Sequence, residues 1–147
     1  GIGGKTITGA HGIPVGCDIA EEDVIPDEID MMVLPGGMPG TLNLERSAKV
    51  NAFVDYAYEN QKLVCAICAA PSILGHKSML KGKKAVCFPG FESELEGAEL
   101  SDSFVVTDGN IITAKGMGSA VKFGIAIGAA FVGEAKMKKI EESLQCS

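Results

Sequence analysis

The sequence is poor in several features that mark particular classes of protein. It has no tryptophan, only two histidines, and 13 basic against 19 acidic residues, which gives a formal net charge of -6. Nucleic acids and anionic membranes bind basic patches, so this charge disfavours either of them as the main partner. We therefore expect a protein that binds neither nucleic acid nor membrane.

Long hydrophobic runs are also absent. The longest apolar stretch, Phe123 to Val132, is interrupted by glycines and is shorter than the ~20 residues of a membrane span. No secretory signal pattern of a basic segment, an apolar segment and a cleavage site is visible. With 147 residues, 46% of them hydrophobic, the chain suits one domain with a core over residues 1–147. We expect that domain to be cytoplasmic.

The cysteines do not form the even-numbered framework of a secreted, disulfide-bonded protein. There are five of them in apolar surroundings, which favours a reducing compartment. No second Cys/His pair occurs at zinc spacing, so we predict no metal site, and no other cofactor is expected. The five are Cys17, Cys65, Cys68, Cys87 and Cys146.

Short apolar runs that end in glycine or proline loops alternate with helical patterns. Met31 to Leu34 and Leu63 to Ile67 read as buried parallel strands. This alternation predicts an α/β fold with a parallel sheet and helices on both faces, whose ligand lies beyond the carboxyl ends of the strands. The predicted helices are 47–61 with Ser47 as its cap, 71–77, 120–132 and 134–145.

The remaining segments carry weaker patterns. One or two short strands are expected within 7–17, a strand at 85–88, and a hairpin that joins 104–106 to 111–114. Residues 18–30 read as a solvated connection with at most one helical turn, and 92–102 as an exposed acidic stretch. The helix at 120–132 is apolar on nearly every side, which predicts that it is buried.

The stretch from Leu63 to Pro71 predicts a strand-to-helix turn with Cys68 at its apex. Backbone N–H groups and the positive end of a helix dipole lie close to such an apex, which favours a thiolate. Cys65 and Cys68 have the spacing of a redox pair, but three strand residues separate Cα atoms by roughly 10 Å, and a disulfide needs under ~7 Å. We therefore expect Cys65 to be a core residue and Cys68 to be the functional thiol, while Cys17, Cys87 and Cys146 are structural or incidental.

Neither histidine forms a visible pair with Cys68. His76 lies eight residues further on and is expected to cap the helix end. His11, in a glycine-rich loop, is a candidate for the site wall that could approach from another strand, although nothing in the sequence places it there. A papain-like protease or an amidotransferase is therefore disfavoured.

Pro35-Gly36-Gly37 either supplies backbone donors for an oxyanion or only makes a turn. Gly116-Met117-Gly118 is expected to form a site wall or to pack a helix, although a phosphate could bind there.

Three motifs together resemble a known family. They are Val33-Leu34-Pro35-Gly36-Gly37, Ala66-Ile67-Cys68-Ala69-Ala70-Pro71 and Lys115-Gly116-Met117-Gly118-Ser119. Their order and spacing are similar to those of the ThiJ/PfpI superfamily. The branch that they resemble most is that of the parkinsonism-associated protein deglycase (DJ-one) and its bacterial relatives. The resemblance implies a flavodoxin-like fold, a homodimer and a reactive elbow cysteine at Cys68. It also implies that the amides of Gly37 and Ala69 form an oxyanion pocket.

Two features depart from that family. Its members begin with a strand and a helix whose glutamate binds the cysteine, and no part of this sequence matches them. We therefore expect the first strand and helix to be missing from this chain, and a separate N-terminal fragment is one candidate to complete the fold. Some relatives carry a histidine near the site where this chain has Phe88.

The function implied by the resemblance is that of a cysteine-dependent enzyme, a glyoxalase III or protein deglycase that acts on small reactive carbonyls or glycated protein. Cys68 would form a hemithioacetal. The alternative is a redox sensor or chaperone whose Cys68 is oxidised to sulfinate. A degenerate, enzyme-like binding module is a third reading.

Overall fold

A computed structural model describes residues 1–145 of the chain, and the prediction for Cys146 lies outside them. The strands are β1 Thr6–Thr8, β2 Pro14–Gly16, β3 Met31–Leu34, β4 Leu63–Ile67, β5 Lys84–Ala85, β6 Glu99–Leu100, β7 Val105–Asp108 and β8 Ile111–Ala114. The helices are α1 Gly40–Arg46, α2 Ala48–Glu59, α3 Pro71–His76, α4 Ala120–Val132 and α5 Glu134–Leu144.

The centre of the fold is a four-stranded sheet in the order β3-β4-β8-β7. The first three strands are parallel, and β7 runs antiparallel to β8 at one edge. Asp108 pairs with Ile111 across the two-residue turn Gly109-Asn110, where Gly109 takes a φ of +62°. The predicted hairpin is confirmed, and the sheet is a parallel one with an antiparallel edge strand.

Strand β4 contributes to two cores because successive side chains point to opposite faces of a sheet. Val64 and Ala66 join a cluster with residues of α2 and α3, whereas Cys65 packs with Ile112 and Phe123 beneath α4. Helices therefore cover both faces, as the alternating pattern predicted. Cys65 has no exposed surface, so its assignment to the core is confirmed.

Helix α4 has the predicted bounds but is not buried as predicted. Phe123 is its only buried residue, and Phe131 is 51% exposed. One side of α4 packs on the sheet and another contacts α5, while no described element covers the remainder. An apolar pattern on all sides predicts burial only when the chain supplies a layer for each side. Gly133, at a φ of +81°, ends α4.

The predicted strand at 85–88 is wrong in its extent. Only Lys84 and Ala85 form a strand, β5, which pairs with β6 in a small separate sheet. The N–H of Val86 donates to the Thr113 hydroxyl, and the N–H of Phe88 donates to the Cys68 carbonyl. Because these two amides bond to β8 and to the Cys68 turn, the pairing of β5 with β6 does not extend to residues 86–88.

The peripheral segments agree with the sequence in outline. β1 and β2 form a hairpin of their own. The connection at 18–30 holds two single 3-10 turns, Glu21–Asp23 and Pro26–Glu28, rather than at most one. The acidic stretch at 92–102 is mostly exposed, but Leu95 is buried in the core. Among residues 1–145, no helix combines the length and apolar character that crossing a membrane requires.

Candidate functional site

Cys68 occupies the sharp turn between β4 and α3. Its φ of +67° lies in the left-handed region that residues other than glycine rarely adopt. Its N–H donates to the carbonyl of Ala114 over 2.9 Å, and its carbonyl accepts from the N–H of Phe88 over 2.8 Å. Both backbone groups are therefore fixed to neighbouring segments, and the side chain is half-buried.

A glycine loop lies directly against this turn. Because β3 and β4 are parallel and in register, the loop after β3 ends at the same edge of the sheet as Cys68. A Cβ added at Gly36 would lie 2.4 Å from the Cys68 Cβ, closer than real Cβ atoms approach. Gly37 has a φ of +89°. The loop thus requires glycine at Gly36 for close approach and at Gly37 for its conformation.

Three backbone amides near Cys68 have no acceptor within the described part of the chain. They belong to Gly36, Gly37 and Ala69. A Cβ built at Gly36 would lie 3.1 Å from the Ala69 nitrogen, so donors from two loops lie at one strand end. Uncommitted amides beside a nucleophile can stabilise an oxyanion.

A small cavity is lined in part by Phe88, whose N–H binds the Cys68 carbonyl, while Cys68 itself is not among its lining residues. It has a volume of about 170 Å³ and is lined by Phe88, Phe104 and the segment 115–119, with Pro89. A Cβ at Gly116 would lie 3.1 Å from the Phe88 ring, so the Gly116-Met117-Gly118 loop packs on the segment that binds the Cys68 carbonyl. The structure therefore places this loop at a cavity wall, and the amide of Gly116 bonds to the Ser119 hydroxyl.

Charged groups lie at the rim of this cavity. The Nζ atoms of Lys115 and Lys122 are 5.7 and 5.3 Å from the centroid of the Phe104 ring. Lys115 also donates to the carbonyl of Asp102. Cations over an aromatic face hold the ring in place at the surface. Sequence reasoning missed Phe104, because its role depends on two lysines 11 and 18 residues away.

The other described cysteines differ from Cys68 in their surroundings. Burial raises the pKa of the Cys65 thiol to about 12. Burial, followed by the charge of Glu92, raises the pKa of the Cys87 thiol to about 11. Both thiols stay protonated at neutral pH and are poor nucleophiles. Cys17 is half-buried in the N-terminal region, and residues 1–145 contain no cluster of side chains that could hold a metal ion.

Neither histidine lies against Cys68. His76 ends α3, and both of its ring nitrogens contact carboxylates, those of Glu45 and Glu94. His11 is exposed in the turn of the β1–β2 hairpin, with no hydrogen bond or ion pair to the elbow in the described residues. The site therefore has a thiol and amide donors, and neither imidazole is placed to accept the proton of the thiol.

Known proteins are similar to this chain in sequence. The model of the DJ-1/PfpI family matches residues 1–130. The chain belongs to the DJ-1/PfpI family. It is 29% identical over 144 residues to protein dj-1beta of Drosophila melanogaster, covering 97% of this chain and 77% of that protein. It is 37% identical over 111 residues to a deglycase of Thermococcus kodakarensis, covering 74% and 66% of the two.

Solved DJ-1/PfpI structures share the fold as well as the sequence. Drosophila DJ-1beta superposes with a TM-score of 0.89 at 28% identity, over 98% of this chain and 78% of that one. The oxidized DJ-1 of Toxoplasma gondii gives a TM-score of 0.89 at 28% identity, over 97% and 78%. The fold is therefore flavodoxin-like. The chain spans only about a third of DJ-1 homolog A of Arabidopsis thaliana, 36% of its length.

Proposed function

We propose that this DJ-1/PfpI protein is a cysteine-dependent enzyme of the deglycase or glyoxalase III type, which acts on small reactive carbonyls or on glycated protein. The observation that carries the proposal is the position of Cys68, held in a left-handed turn against Gly36. The archaeal relative named as a deglycase supports the same reaction class.

The chemistry follows from the groups at the strand ends. The sulfur of Cys68 adds to the aldehyde carbon, a C–S bond forms, and the carbonyl electron pair moves onto oxygen. The amides of Gly37 and Ala69 would stabilise this oxyanion, and Gly36 adds a third donor. Protonation of the oxygen then gives a hemithioacetal. By the same resemblance, a glutamate of the family would move the protons.

The test uses the full-length protein. Cys68→Ser should abolish the formation of lactate from methylglyoxal, because the hydroxyl is a far weaker nucleophile than the thiolate. Cys17→Ser is the matched control, since Cys17 lies outside the elbow, and it should retain turnover. Turnover that survives in the Cys68→Ser protein would contradict the proposal.

A redox sensor or chaperone is the second candidate function, favoured by the relative whose structure is of an oxidized form. Here Cys68 is oxidised to sulfinate and does not turn over substrate. Mild peroxide followed by mass spectrometry should add two oxygen atoms to Cys68 before any other cysteine reacts. Unselective oxidation would count against the sensor.

The assembly and the compartment remain predictions. The resemblance implies a homodimer, and light scattering on the purified full-length protein measures its mass directly. The cytoplasmic location is predicted from the cysteines and from the lack of a visible secretory signal pattern. A monomer at micromolar concentration would contradict the homodimer.

A further inference from the structure

His76 joins three elements of the fold. Its Nδ1 lies 2.5 Å from a carboxylate oxygen of Glu45 in α1, and its Nε2 lies 2.8 Å from a carboxylate oxygen of Glu94. Glu94 ends the single 3-10 turn Glu92–Glu94. The His76 side chain is 37% exposed, so these contacts lie at the surface but are not fully solvated.

The two contacts together require a proton on each ring nitrogen. Ionised carboxylates only accept hydrogen bonds, and a neutral imidazole has a single N–H. Both bonds therefore form only with the imidazolium. In agreement, the hydrogen bond to Glu45, followed by that to Glu94, raises the pKa of His76 above its ordinary value, and His76 lowers the pKa of Glu94.

The neighbouring polar side chains of Lys77 and Ser93 make hydrogen bonds of their own. Lys77, the next residue, donates to both carboxylate oxygens of Asp55 on α2, over 2.7 and 2.9 Å. The Ser93 hydroxyl donates to the second oxygen of Glu94. The charges that bear on the imidazole are thus the two carboxylates, one from each neighbouring element.

The elements that His76 joins are the ones that build the candidate site. The N–H and the hydroxyl of Thr41, in the first turn of α1, both donate to the Gly37 carbonyl, over 2.8 and 3.0 Å. The segment that leads to Glu94 starts at Phe88, whose N–H binds the Cys68 carbonyl. α3 itself follows Cys68 by three residues.

The contact between α3 and the Glu94 turn is also direct. A Cβ added at Gly75 would lie 2.0 Å from the Glu94 carbonyl oxygen, so the two backbones touch. Because of this contact, a change in the position of the turn is transmitted to α3 through rigid backbone. Glycine at Gly75 permits the approach that lets His76 reach Glu94.

We propose that His76, as an imidazolium bonded to Glu45 and Glu94, is a positioning residue for Cys68. It holds α3 against α1 and against the Glu94 turn, and thereby keeps the glycine loop, the elbow and Phe88 in register. Loss of the proton removes one of the two bonds and loosens the elbow. The inference rests on Cys68 being the reactive group of the proposed function.

The test measures the rate at which iodoacetamide alkylates Cys68 in the full-length protein, followed by peptide mass spectrometry. At about pH 6, His76→Gln should react roughly three- to fivefold more slowly than the wild type, the change that loss of an exposed ion pair can produce. At about pH 9 the two rates should lie closer together, because the wild type loses its imidazolium as pH rises through the raised pKa of His76. A ratio that is the same at both pH values overturns the proposal, since a purely structural role would give it.

Two further variants make the result specific. Lys77→Met breaks the neighbouring ion pair at the same helix end and should leave the rate unchanged at both pH values. Glu94→Gln removes one charge without changing size, and should give the His76→Gln behaviour with a smaller ratio. If His76→Gln fails to fold, Glu94→Gln tests the proposal in its place. Alkylation needs no carbonyl substrate, so it remains readable even if methylglyoxal turnover is not observed.

Discussion

Cys68 is held in an unfavourable backbone conformation by its neighbours. The left-handed region costs an L-residue about 1–2 kcal/mol. The hydrogen bonds to Ala114 and from Phe88 act on both sides of the residue, and Gly36 leaves room for its Cβ. Strain of this kind persists only where surrounding structure determines it. The elbow therefore depends on residues of three other segments.

Gly36→Ala should displace the elbow. The new methyl group would lie 2.4 Å from the Cys68 Cβ and 2.6 Å from the Ile67 carbonyl oxygen, and neither is the end of a flexible side chain. We expect a loss of about 2 kcal/mol in the free energy of unfolding, by urea denaturation, and a loss of the proposed turnover.

Gly124→Ala is the matched control. Gly124 lies in α4, and a Cβ there would meet nothing within 4 Å. Alanine favours a helix over glycine, so this variant should be as stable as the wild type or more stable by about 0.5–1 kcal/mol. A Gly36→Ala protein with unchanged stability and turnover would contradict this prediction, because it would mean that the loop can move to accommodate the methyl group without loss.

At the scale of residues, the sequence predicted that Cys68 lies at a strand-to-helix turn, and the family resemblance implied that Gly36, Gly37 and Ala69 lie near it; the contacts that hold them together were not predicted. The pattern of strand, small residues and proline was enough to place Cys68 at a turn. The contact with Gly36 depends on the register of β3 against β4, which no local pattern records. The partners of His76 are 31 and 18 residues away, so the sequence suggested only a helix cap.

Among the elements, β8 carries one polar side chain into the core. Thr113 has no exposed surface, and its hydroxyl accepts the N–H of Val86 over 3.0 Å. This bond joins the central sheet to the segment that runs from β5 to Phe88. A buried hydroxyl is tolerated in a core only because it is hydrogen-bonded.

Thr113→Val should destabilise the protein even though the side chain keeps its shape. The valine leaves the buried N–H of Val86 without an acceptor, which costs about 1–3 kcal/mol. Urea denaturation measures the loss. Thr107→Val on the adjacent strand β7 is the control, because Thr107 is exposed, and it should change stability by no more than about 0.5 kcal/mol. Equal effects of the two substitutions would rule out this role for the hydroxyl.

The elements that the sequence predicted well are those whose signals are local. The Ser47 hydroxyl caps α2 by accepting from the N–H of Val50, and Gly133 ends α4. The prediction failed where a partner decides the outcome, as for the strand at 85–88 and the buried surface of α4. Helix α1, which spans Gly40–Arg46, was not predicted.

For the whole molecule, the His76 cluster links stability to pH in a definite direction. The pKa of His76 is raised above its ordinary value of 6.5, so its contribution is complete below about pH 6.5 and is lost as pH rises through the folded value. The pKa of Glu94 is lowered from 4.5, so its contribution is present above that value and is lost as pH falls through the folded one. The cluster therefore stabilises the fold most between these two values.

The difference in unfolding free energy between the wild type and His76→Gln should be largest near pH 5.5 and should shrink towards pH 9. Urea denaturation at a series of pH values measures it. Added salt should reduce the difference only in part, since the carboxylates are partly exposed and exposed charges are screened. The Lys77→Met protein should lack this pH-dependent difference, because the substitution leaves both His76 contacts in place. A His76→Gln difference that grows with pH would mean that the neutral imidazole, and not the imidazolium, is the form that the fold prefers.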